Sequence, residues 1–182
     1  MDAHDALRSR RTIHFYTDAP VDEAIVQRAL ECALRAPNHK LTNPWRFTLV
    51  GTETRAQITE VGLQIKRDKG ASEDKLQRSR VKLSTPPVLL VVSQVRDDDA
   101  FRNREDYAAT ACAIQNLMVS LWSDGVGSKW STGGITRAPQ TYALTNIDPA
   151  AEEIVGFVWA GYPEQTPDPP RAPLQDMLRH VP

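Results

Sequence analysis

Arginine recurs in this sequence where proline, glycine and small hydroxyl residues also gather. "RSRRT", residues 8 to 12, sets Arg8, Arg10 and Arg11 beside the Thr12 hydroxyl. "RAPNHKLTNPWRF", residues 35 to 47, carries Arg35, His39, Lys40 and Arg46 with no carboxylate among them. "WSTGG", residues 130 to 134, places Ser131 and Thr132 before Gly133 and Gly134, while "PPRAP", residues 169 to 173, isolates Arg171. Guanidinium forks match the geometry of phosphate, and a dianion takes two or more of them. Glycines let a backbone come close to a flat ligand. Any one of these features alone reads as surface charge or a turn. Four in one chain point to a local anion site.

The charge balance requires any such anion site to be local. Lys plus Arg is 22 against 23 Asp plus Glu, a formal net charge of -1, without the basic excess of a nucleic-acid binder. Other chemistries lack their patterns. The four histidines form no HxxxH or HExxH pair, so no protein-held metal is expected. Ser72 and Lys75 spell S-x-x-K, but they open a highly charged helix rather than an apolar pocket, so Ser72 reads as an N-cap. "GVGSKW", residues 125 to 130, has two glycines of a dinucleotide fingerprint and follows a helix instead of a strand. Cys32 and Cys112 read as buried free thiols among apolar neighbours. "MDAHDALRSRR" lacks the apolar core of a signal peptide, and "PPVLLVV" is too short to span a bilayer. A soluble, cytoplasmic protein with no membrane partner is expected.

These side chains need a frame to position them. Hydrophobic residues at 41% and charged residues at 25% suit one globular domain over 1–182. Residues 2 to 9 read as a short helix ending at the basic cluster. Residues 21 to 36 read as an amphipathic helix with Ile25, Ala29 and Ala33 on one stripe and Val26, Leu30 and Leu34 beside it. Asp22 serves as its N-cap, Val21 and Val26 as a hydrophobic staple, and Pro37 as its stop. The cationic loop then enters a strand at "RFTLVG". A helix starting at Thr54, with Gln57 completing a capping box, precedes a charged helix at 72 to 84. "PPVLLVVSQV" is a strand buried on both faces over residues 88 to 92. "RDDDAFRNRED" reads as a solvated connection. Residues 107 to 125 form a helix apolar almost all round, central or in a subunit interface, closed by Gly125. "SKWST" and "EIVGFVWAGY" are strands around a short helix within residues 138 to 146, and a Pro-rich tail follows with a short final helical piece. The order α, β, α, β, α, β, β belongs to a mixed α/β layer protein.

The residues "RSRRTIHFYTDAPVDEAIVQRALECALRAPNHKLTNPWRFTLV" resemble the opening of the nitroreductase family of flavin enzymes. That family opens with a basic triplet, F-x-x-x-P-V, a helix ending in A-P-S or A-P-x-H, and a proline-tryptophan-aromatic strand start. "APNHK…PWRF" is similar to its short, YdjA-like branch. "PPVLLVV", the helix ending "GVG", "WSTGG" and "GFVWAGYP" follow in the family's order, so the resemblance covers nearly the whole chain. It implies an α+β fold with a central mixed, mostly antiparallel sheet flanked by helices, in an intertwined homodimer with FMN at the interface. Carried over by position, Arg10, Arg11 and Thr12 would hold the phosphate, ribityl chain and pyrimidine edge. Ser131, Thr132 and Gly133 would line the flavin from the same subunit. Arg35 and His39 would reach the partner's flavin, and Arg171 would stand on the phosphate. Thr12 replaces the commoner serine and keeps the hydroxyl. The large insertion that shapes the substrate channel in bigger members is missing.

The implied activity is that of an FMN-dependent NAD(P)H oxidoreductase. Hydride would pass by way of flavin N5 to an electron-poor acceptor in ping-pong order, with the cofactor carrying the hard chemistry. Neither NADH nor NADPH is favoured, and no acceptor is selected. Dehydrogenation, dehalogenation or flavin binding without turnover are alternatives on the same scaffold, and a plain interaction protein is the alternative without flavin.

Overall fold

The computed structural model describes residues 1–181. Each helix near the candidate site starts or stops for a local reason. α1, Ala3–Ser9, is capped by Asp2, whose carboxylate accepts from the Asp5 N–H at 2.9 Å. α2, Glu23–Ala33, starts at Asp22, which accepts from the Ala24 N–H at 2.8 Å. Its buried stripe is Val26, Ala29 and Ala33, and the partly buried Val21 packs on the same core as Val26. The helix stops one turn before Pro37, and after a single 3-10 turn at His39–Leu41 the chain enters β1, Trp45–Leu49, with Trp45 buried.

α3, Thr52–Asp68, begins directly after Gly51 without a side-chain cap, so the expected Thr54–Gln57 capping box does not form. α4, Glu73–Ser84, follows Ser72 as its N-cap residue. β2, Val88–Val95, is buried from Val88 to Gln94, as its unbroken apolar run requires. α5 is longer than the sequence suggested. It spans Ala100–Ser123, and the acidic run preceding it is the start signal: Asp99 accepts from the Phe101 N–H at 2.8 Å and the Arg102 N–H at 3.2 Å. At its other end Gly125 takes φ 77°, and the Val126 and Gly125 N–H groups cap the Leu121 and Trp122 carbonyls, a Schellman motif. β3, Gly127–Ser131, leads through a 3-10 turn at Gly134–Arg137 to α6, Pro139–Thr145, and to β4, Glu152–Gly161.

The four strands form one sheet in the order β1-β2-β4-β3, and every pairing is antiparallel. A single parallel bridge, Thr12 to Ser128, adds the mixed character on the β3 edge. Side chains of one face, such as Leu90, Val92 and Val158, pack with α2 and α5. The other face, with Leu89, Val91, Phe157 and Trp159, packs with Ile58 of α3. The architecture is α+β, with helices on both faces of an antiparallel sheet. Both cysteines are exposed, contrary to the buried thiols expected. Cys32 falls off the Val26–Ala29–Ala33 stripe, and Cys112 precedes the buried Ala113 on α5, so their apolar neighbours turn inward and they turn out.

Gly127 opens β3 opposite Gly161 of β4, and a Cβ placed there would meet Ile13 Cγ1 at 2.5 Å. Gly127→Ala is expected to destabilise the protein by about 1–3 kcal/mol, the scale of core overpacking. That corresponds to a fall in Tm of about 2–12 °C for a domain of this size, read by thermal melting.

Candidate functional site

Residues 10 to 17 leave α1 and run along the β3 edge of the sheet. The Ile13 N–H donates to the Ser128 carbonyl at 3.1 Å, and the Thr17 N–H donates to Tyr162 at 2.9 Å. Between them the buried Tyr16 hydroxyl donates toward the Ile13 carbonyl at 2.8 Å and lies 3.3 Å from that of Trp159. Burial raises the Tyr16 pKa well above its ordinary value, so the phenol stays protonated as a donor. The basic triplet is thereby brought to the start of β3, whose far end carries Ser131, Thr132 and Gly133. From Thr12, beside Ser128, to Ser131 is about 10 Å of extended strand.

The near end of this strip is rich in unmatched positive charge. Arg10 Nη1 is buried and has no hydrogen-bond partner. Its pKa is lowered first by burial and then by the charges of Arg171 and Arg11, so the Pro-rich tail does bring Arg171 to this cluster. Arg11 behaves differently. Its Nη1 donates to the carbonyls of Arg8 at 2.7 Å and Arg10 at 3.2 Å, and its Nε donates to Asp168 of the tail at 3.2 Å. The Arg11 fork is thus already taken up by protein acceptors. Thr12 is exposed beside it.

The far end is shaped by backbone. Gly133 holds φ 125° and ψ -158°, a conformation essentially reserved for glycine, so the turn presents main chain without a side chain. Ser131 Oγ accepts from the Trp159 indole N–H at 2.9 Å, which leaves its own hydroxyl proton available. Thr132 is exposed next to it. A groove of about 350 Å³ opens here, lined by Lys66, Lys129, Ser131, Thr132, Gly134 and Trp159 among others.

Three basic side chains along this strip escaped the sequence reading: His14, Lys82 and Lys129. Lys129 shares the face of Ser131 and sits 6.0 Å from the Trp159 ring centre, while Lys82 sits 5.2 Å from that of Phe15. The Lys129 pKa is lowered by burial, then by Lys82 and Lys66. His14 is lowered by burial, then by Lys129 and Lys82. None of Arg10, Lys66, Lys82, Lys129 and Arg171 has an ion-pair partner among the described residues. They come from the β3 edge, α3, α4 and the tail, so no local stretch of sequence shows them as a group. A signal did exist in "SKWST", where alternation puts Lys129 and Ser131 on one face.

The 35–47 loop is built separately. Arg35 lines a different groove, between α1, α2 and α5, and His39 is exposed at the start of the 3-10 turn. Lys40, Leu41 and Asn43 hold φ of 53°, 54° and 46°, a run of left-handed residues without a glycine. The strain is held by the Asn43 N–H on Asn38 Oδ1 at 3.0 Å and by Thr42 Oγ1 on the buried Asp106 at 2.6 Å. Arg46 turns back onto the Asn43 and Trp45 carbonyls at 3.0 and 2.8 Å. α5 thus contributes an acid that holds the loop's backbone shape through Thr42.

The His14 shift sets a sign for pH dependence. Its folded pKa lies below the ordinary 6.5, so the unfolded chain binds more protons between those two values. Its contribution to stability therefore rises with pH up to about 6.5 and is flat above. His14→Gln is expected to remove that slope from melting curves of the ligand-free protein.

Residues 7–162 match the model described as the Nitroreductase family. The chain is 33% identical over 181 residues to YfhC of Bacillus subtilis (strain 168), named as a candidate NAD(P)H nitroreductase, covering 97% of this chain and 93% of that one. Among solved structures, a nitroreductase-like family protein from Bacillus cereus superposes with a TM-score of 0.83 at 25% identity, covering 100% and 96% of the two chains. A candidate nitroreductase from Desulfovibrio desulfuricans, solved in complex with FMN, has the same fold, with a TM-score of 0.78 at 24% identity over 100% and 98%.

Proposed function

The chain belongs to the nitroreductase family, and from that premise we propose that it is an FMN-dependent NAD(P)H oxidoreductase that works as a homodimer. The observation that carries this reading is the buried, unpartnered Arg10 Nη1 at one end of a strip whose other end is the glycine turn at Gly133. An elongated ligand with an anionic end and a flat end fits that pattern.

Arg10 and Arg171 would hold the phosphate, which relieves the repulsion between two guanidinium groups that have no acid between them. Thr12 and Ser131 offer hydroxyl donors along the strip, and Gly133 offers bare main chain to a ring edge. Lys82 and Lys129 supply a positive field on the same face, favouring a ligand that gains negative charge. FMN, when bound, supplies hydride transfer at its N5. The arginines and lysines beside the strip are cationic, so the chain's part is to bind, orient and set the charge.

Ping-pong order follows from one open groove that the nicotinamide and then an electron-poor acceptor would occupy in turn. Nitroaromatics, quinones and enones all suit such a groove, and the cationic residues do not decide between NADH and NADPH. The homodimer is supported by exposed apolar side chains on α5 and the tail, including Phe101, Tyr107, Leu174 and Met177. Arg35 and His39 lie on a strained loop outside the strip, where their family role is to complete the partner's site.

The reading is tested first by an absorption spectrum of the purified protein and of the supernatant after heating. Release of FMN is expected, and protein that is colourless and also fails to bind added FMN would sink the reading. Arg10→Ala is expected to weaken FMN binding by about 1.5–3 kcal/mol, the scale of a hydrogen bond to a charged group, read by fluorescence titration. Mixing Arg10→Ala with Arg35→Ala chains should restore tight binding at part of the heterodimer sites. Absence of any rescue would argue against a site shared between subunits.

A further inference from the structure

We infer that Asp168 is a positioning residue for the anion site: by locking onto Arg11 it pins the Pro-rich tail so that Arg171 stands beside Arg10. The inference rests on the flavin reading above, and it gives Arg11 a role other than direct contact with the phosphate.

The tail leaves β4 next to the strip. Pro163 bridges Tyr16, and the Glu164 N–H donates to the Phe15 carbonyl at 3.2 Å, which anchors the tail's first residues along segment 12–17. Beyond Glu164 the segment has no helix or strand until the 3-10 turn at Leu174–Asp176. Within that stretch the side-chain hydrogen bonds tying it to the body run from Arg11 Nε and Nη2 to Asp168 Oδ1. Arg11 makes a firm anchor. Its side chain is only 15% exposed, and its Nη1 is fixed on the Arg8 and Arg10 carbonyls. Asp168, by contrast, is 84% exposed and touches the body chiefly through this contact.

Two prolines carry the effect from Asp168 to Arg171. In "DPPR" each proline ring fixes its own φ, and Asp168 and Pro169 are confined to extended conformations by the proline that follows each. Such a segment turns once every three residues and rises about 3.1 Å per residue. Positions 168 and 171 then fall on the same side, about 9 Å apart. Pinning one therefore places the other with little remaining freedom. The lowered pKa of Arg10, caused in part by Arg171, agrees with that placement.

The sign of the effect separates this role from simple electrostatics. Asp168 is a carboxylate close to a phosphate site, so as a mere charge, or as a competitor for Arg11, its removal would tighten FMN binding. As a latch, its removal loosens FMN binding, because Arg171 is released. Asp168 is the exposed member of the pair, so water can replace its carboxylate on Arg11 and the fold is expected to tolerate the change.

The experiment is a fluorescence titration of flavin-stripped protein with FMN and, separately, with riboflavin, which lacks the phosphate. Asp168→Ala is expected to weaken FMN binding on the order of tenfold, matching Arg171→Ala, and to leave riboflavin affinity and Tm unchanged. In the Arg171→Ala background, Asp168→Ala should have no further effect. Equal or tighter FMN binding by Asp168→Ala overturns the latch, as does an equal loss for riboflavin or full additivity with Arg171→Ala. Wild-type protein that binds neither flavin overturns the flavin reading itself, and the latch falls with it.

Discussion

The site depends on two glycines that face each other across the edge of the sheet. Gly127 and Gly161 are partners in the β3–β4 register. A Cβ at Gly161 would meet Pro87 Cδ at 2.6 Å and Tyr16 Cδ1 at 3.1 Å, and one at Gly127 would meet Ile13. The missing side chains form a notch, and Ile13 and Tyr16 fill it as two of the most completely buried residues in the chain. Backbone bonds from Ile13 and Thr17 close the segment onto β3 and the end of β4. Arg10, Arg11 and Thr12 on one side, and His14 between the two anchors, are carried into place by packing they do not themselves take part in. The tail leaves β4 at the same notch, so one close approach of backbones positions the triplet, the strand and the returning Arg171 together.

That arrangement concentrates like charge without compensation. A protein selected for stability alone would pair Arg10, Lys82 and Lys129 with acids, of which it has 23. The acids go elsewhere: Asp124 to Arg28, Glu60 to Arg80, Glu153 to Arg96 and Asp97 to Arg102. Burial and mutual repulsion lower the pKa values of Arg10, His14 and Lys129 alike, and in each case burial is the larger cause. Desolvated cations without partners cost stability in the empty protein. An anion bound at the proposed site would recover that cost and couple ligand occupancy to stability.

Much of this was legible in the sequence because its signals are local. Asp22 caps α2, Gly125 closes α5 and the unbroken run in β2 is buried on both faces, each through contacts within a few residues. The glycine turn at Gly133 and the basic triplet could be named for the same reason. The failures share a cause. "RDDDAFRNRED" looked solvated because its acids were counted as surface charge, whereas Asp99 is a helix cap and Asp106 is a buried anchor for Thr42. Cys32 and Cys112 have apolar neighbours along the chain, but helical periodicity turns those neighbours inward and the thiols out. His14, Lys82 and Lys129 meet only through the fold. The Arg11 contact with Asp168 spans 157 residues of sequence, so no local pattern shows it.

The opening loop completes the argument from the other side. Arg35, His39, Lys40 and Arg46 read as a cationic set, yet within the chain the loop's polar contacts serve its own shape: Asn38 and Asp106 hold Asn43 and Thr42, and Arg46 folds back on carbonyls. Left-handed residues without glycine cost on the order of 1–3 kcal/mol each, so three of them need a compensating function. A loop that only connected α2 to β1 could relax, with a glycine at Lys40 or Leu41, at no loss of packing, since both residues are exposed. What the strained form does is hold His39 and Lys40 outward, away from their own core. A site half built on the β3 edge and a loop presenting cations outward are complementary parts, and in the proposed homodimer a two-fold axis would let each copy supply the other.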